Sequence, residues 1–76
     1  MATVKDLALR DAALSGVRLV EIEIVRDALT CAARIVSVLT GETLHTTRDR
    51  PREMGGAAVA DARIEIAARG WQEWLP

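Results

Sequence analysis

A chain of 76 residues makes one domain, and its net charge of −1 argues against a dedicated polyanion binder, which carries a broad basic excess. One cysteine excludes an internal disulfide, and one histidine excludes the usual metal-ligand clusters. With two tryptophans as the only aromatics, the core must be built from Val, Ile, Leu and Ala.

Residues 3–15 predict a short helix. Thr3 is placed to cap it, with Asp6 three positions on as the acid of a capping box, and Ser15-Gly16 to end it. Its expected buried stripe is Val4, Leu7 and Leu14 with Ala8, leaving Lys5, Asp6, Arg10 and Asp11 wet. Residues 17–26 are the clearest strand: Val20, Ile22 and Ile24 point one way, Glu21 and Glu23 the other. The acidic side reads as a solvated face whose glutamates pair with arginines of a neighbouring strand.

Residues 29–40 carry a helical apolar spacing but also Thr30, Ile35, Val36, Val38 and Thr40, and the β-branched content favours a returning strand. Cys31 then fills a small apolar gap. Thr40-Gly41-Glu42 signals a hairpin turn into a third strand over 43–47, which contains His45. The connection 46–52 holds the densest positive charge, Arg48, Arg50 and Arg52 against Asp49.

A long C-terminal helix is expected across 49–71, capped by Asp49, with Pro51 and Glu53 in its first turn and Gly70 as its stop. Gly55, Ala58, Val59, Ala62 and Ile66 share its inner face, while Ala57, Ala60, Ile64 and Ala67 form a second, outward apolar stripe. Gly55 and Gly56 predict fraying at its start unless something packs closely there. In the tail, Trp71 is expected to close the core and Trp74 to offer a contact.

Taken together the elements give an α+β fold, α-β-β-β-α, with a three-stranded antiparallel sheet packed by a long C-terminal helix and a short N-terminal helix. This order resembles the topology of the double-stranded RNA-binding domain. In that family the second helix opens with lysines that contact phosphates; the matching stretch here, Pro51-Arg52-Glu53-Met54-Gly55-Gly56-Ala57, has no lysine and one arginine. The succession of hairpin (17–47), charged turn (48–53) and alanine-rich helix (57–71) is also similar to small phage-encoded proteins, including anti-CRISPR inhibitors. That resemblance implies a stoichiometric blocker of a CRISPR effector complex. Glu21, Glu23, Asp61 and Glu65 would imitate phosphates in a basic groove, and the 48–52 loop would reach acidic pockets.

No catalytic constellation is legible, so an enzyme is not expected, nor a cofactor. No secretory signal and no membrane-spanning apolar run are read from the chain, and a cytoplasmic setting without membrane contact is expected. The expected function is that of a non-catalytic binding protein occluding a partner protein or nucleoprotein complex. Its candidate contact residues are Glu21, Glu23, Arg48, Arg50, Arg52, Ile64 and Trp74. The alternatives are a small nucleic-acid-binding domain using Arg48, Arg50 and Arg52 with Arg63 and Arg69, and a structural subunit of a homo-oligomer such as a homodimer.

Overall fold

Seven elements follow one another in the computed structural model, which describes residues 2–75. They are α1 (Val4–Leu14), β1 (Leu19–Arg26), β2 (Thr30–Ser37), β3 (Thr43–Thr46), β4 (Arg50–Pro51), α2 (Gly55–Ala68) and β5 (Gln72–Glu73). The fold is α+β. The sheet runs β3-β2-β1-β5, with β4 also on β2, so the three expected antiparallel strands form its centre. Two short strands extend it: β4 continues the β3 edge, and β5 lies parallel to β1 on the other side.

The β1–β2 hairpin pairs from Val20 opposite Ser37 to Arg26 opposite Cys31. Asp27 fixes its turn: its carboxylate accepts the N–H of Leu29 (2.9 Å), and the N–H (2.7 Å) and hydroxyl (2.9 Å) of Thr30. Led by the Thr30 N–H, these bonds hold the Asp27 carboxyl below the usual carboxylate range. Residues 31–37 pair with β1 throughout, so this stretch is strand and not helix, and Cys31 is a buried filler whose thiol lies 3.3 Å from the Pro51 carbonyl. Between β2 and β3 the register shifts at Ile35/Val36. Thr47 follows β3 and is buried; its N–H donates to the Ala33 carbonyl, and its hydroxyl accepts the Ala33 N–H, both at 2.9 Å.

α2 begins five residues later than the sequence suggests, its N-cap at Met54 rather than Asp49 and its first residue Gly55. A proline restricts the residue before it to extended backbone, and Arg50-Pro51 accordingly pairs with Thr30 and Cys31 as an edge strand, where the missing proline N–H costs no ladder bond. Met54 occupies the N-cap with no side-chain hydrogen bond. The end of the helix is as expected: Gly70 has φ +69°, its N–H donates to Ala67 and the Trp71 N–H to Ile66, the pattern of a Schellman stop.

α1 is capped as its sequence suggests, with reciprocal 3.1 Å bonds between Thr3 and Asp6. Its buried face is different. Val4, Leu7 and Leu14 are exposed, whereas Ala12 is buried and Lys5, Ala8 and Leu9 are half-buried. The reason is Asp11, which shares the 4-7-14 stripe and would be buried without a partner if that stripe turned inward.

The core joins Val20 of β1 and Cys31, Ala33 and Ile35 of β2 to Ala58, Ala62 and Ile66 of α2, with Ile22, Leu44 and Trp71 packed around them. Small residues on α2 let its axis lie close to the sheet. Gly55 is part of that fit: a Cβ there would stand 2.7 Å from Nη2 of Arg26.

Candidate interaction surface

The side of α2 turned away from the sheet carries the clearest unoccupied feature. Ile64 is 70% exposed, in one stripe with Ala57, Ala60 and Ala67 at spacings that return to the same side of a helix. The charges beside this stripe are met within the chain. Asp61 takes a two-pronged contact from Arg50, Nε to Oδ2 and Nη2 to Oδ1, each 2.8 Å, with Arg48 Nε 3.9 Å away. Arg63 holds Glu73 of β5 at 2.8 and 3.2 Å, and Arg69 holds Glu65 at 2.6 Å. Hydrogen bonds from Arg50 pull the Asp61 pKa down, and those from Arg69 do the same to Glu65. The bond to Asp61 raises the pKa of Arg50, and the bond to Glu73 that of Arg63.

The seven expected contact residues separate into distinct places. Arg48 and Arg50 come together with Ile64 through Asp61, one helical turn before it. Arg52 goes elsewhere and donates to the carbonyl of Asp27 in the β1–β2 turn. The three arginines therefore do not converge on the start of α2, because strand β4 directs Arg50 across to the middle of that helix. Glu21 and Trp74 are joined by Lys5 of α1, which pairs with the glutamate at 2.8 Å and lies 5.2 Å from the centre of the indole ring. Glu23 pairs across the strands with Arg34 at 2.9 Å, as strand alternation suggests.

Lys5 was missed as a site residue, because a lysine on a short helix gives no local sign of a tryptophan almost seventy positions away. A cavity of about 270 Å³ was missed for the same reason. It lies between the C-terminal half of α1, the start of β1 and the β2–β3 turn, and its walls come from three separated segments. Among the described residues, no group of three His, Cys, Asp or Glu side chains could hold a metal ion, and no helix is long and apolar enough to cross a membrane. No protein-family model, curated protein or solved structure matches the chain.

Proposed function

We propose that the protein is a non-catalytic binding module that occludes a partner surface with the outward face of α2. The observation that carries this reading is Ile64, a large aliphatic side chain 70% exposed in an apolar stripe whose neighbouring charges are already paired. Covering such a stripe removes apolar area from water without stranding a charge, the condition under which a single side chain dominates an interface. Arg48, with its side chain 73% exposed, supplies a cation at the rim. The partner class is the one that the resemblance to anti-CRISPR inhibitors implies: a nucleoprotein complex of the CRISPR effector type, at a protein subunit of that complex.

The test mixes purified effector complexes with the protein and with an Ile64→Asp variant, and follows co-elution by size-exclusion chromatography. Co-elution of the parent, weakened about tenfold or more in the variant with its thermal melt unchanged, supports the reading. Parent protein eluting alone from every complex removes that partner class. Nucleic-acid binding is the second reading, drawn from the exposure of Arg48; a gel shift that fades steeply with salt would favour it.

A further inference from the structure

The cavity beside α1 shares no residue with the α2 face. Its walls are the aliphatic side chains of Leu9, Leu19, Leu39 and Leu44. It is a groove of about 270 Å³ with Leu39, 75% exposed, at its open side, and a branched four-carbon side chain has room to lie in it. The lining also carries polar groups of three kinds. Ser37 is only 6% exposed; its hydroxyl oxygen accepts the Thr40 N–H at 3.3 Å, and none of the described hydrogen bonds takes its proton. Arg18 and Glu42 supply one charge of each sign, and neither belongs to an ion pair among the described residues. Arg18 rests 6.0 Å from the centre of the Trp71 ring.

From this combination we infer that the cavity binds an aliphatic α-amino acid, leucine or a close relative. The leucine walls take the side chain, Arg18 takes the carboxylate, Glu42 takes the ammonium, and the Ser37 hydroxyl has an acceptor in the carboxylate. A purely anionic amphiphile would bring its head to Glu42 as well as Arg18, and a cationic one would meet Arg18 as well as Glu42. A zwitterion offers each of these two lining residues a charge of opposite sign, and the aliphatic walls disfavour polar side chains.

Amide resonances of the intact chain, with the Trp71 indole, report the binding. L-leucine is expected to shift Leu19, Leu44 and the Trp71 indole saturably, with a Kd on the order of 1 mM. Arg18→Gln should weaken leucine about tenfold and bind 3-methylbutylamine, which lacks the carboxylate, at least as well as the parent does, because a like charge is removed. Glu42→Gln should weaken leucine and the amine but not 4-methylpentanoate, which lacks the ammonium. Ala13→Trp, at an exposed position on the lining, should abolish binding of all three with an unchanged circular dichroism spectrum. The inference is overturned by no saturable shift at about 10 mM leucine. It is overturned equally by 4-methylpentanoate binding as tightly as leucine, or by full binding in a folded Ala13→Trp variant.

Discussion

Thr47 closes its rung of the sheet with a side chain. Its hydroxyl takes the Ala33 N–H that a backbone carbonyl would otherwise accept, and both residues are buried. Thr47→Val keeps the shape and removes the acceptor, so the Ala33 N–H loses both partner and water. A loss of about 1–3 kcal/mol is expected in urea unfolding, recovered in large part by Thr47→Ser. Asp61 gives a pH-dependent prediction. Its pKa is depressed below 3.8 in the folded chain, chiefly by the Arg50 hydrogen bonds, while the unfolded chain binds its proton at the ordinary value. The stabilisation it contributes is therefore complete above the unfolded pKa and lost as the pH falls through the lower, folded one. Asp61→Asn should be less stable than the parent at neutral pH and show a flatter decline as the pH falls through and below the ordinary carboxylate range, followed as the urea midpoint by circular dichroism.

At the level of elements, the two glycines that open α2 are not equivalent. Gly56 has open space where a Cβ would go, and its φ is negative, so Gly56→Ala should raise stability by about 0.5–1 kcal/mol. Gly55→Ala should gain less, because the Arg26 guanidinium must first move aside; thermal melts of both variants check the difference. The contrast marks what a sequence can disclose. Helix stops were legible because one glycine with a left-handed backbone suffices, as at Gly70. Alternation in 17–26 and β-branching in 30–37 likewise act on neighbouring residues. The start of α2 was not legible, since Asp49-Arg50-Pro51 suits a helix entry and an edge strand equally, and the pairing with Thr30 and Cys31 decides it. The inward face of α1 depended on counting Asp11 against its apolar neighbours. The outward stripe holding Ile64 was readable from helical spacing; which arginines stand beside it depended on Asp61, a partner eleven positions from Arg50.

At the scale of the whole molecule, the sheet is assembled in two unequal ways. β1, β2 and β3 are joined by short turns, whereas β5 reaches β1 only after nearly the whole chain has been placed. Backbone bonds that include Gln72 N–H to Arg18 and Trp74 N–H to Val20, the Arg63–Glu73 contact and Lys5 beside the Trp74 ring hold it there. Hydrogen exchange should separate these regions: the Gln72 and Trp74 amides exchange through local opening, and the Ala33 amide only through global unfolding. Glu73→Gln should accelerate the first pair and leave Ala33 nearly unchanged.

That asymmetry reaches beyond the kinetics of one strand. β5 covers only Leu19 and Val20, so when the 72–74 segment opens, these two residues lengthen a β1 edge whose remainder, as far as Arg26, already lacks a strand neighbour on that side among the described residues. Strong salt, by loosening the contact between Arg63 and Glu73, should therefore raise the tendency of concentrated solutions to form β-rich aggregates.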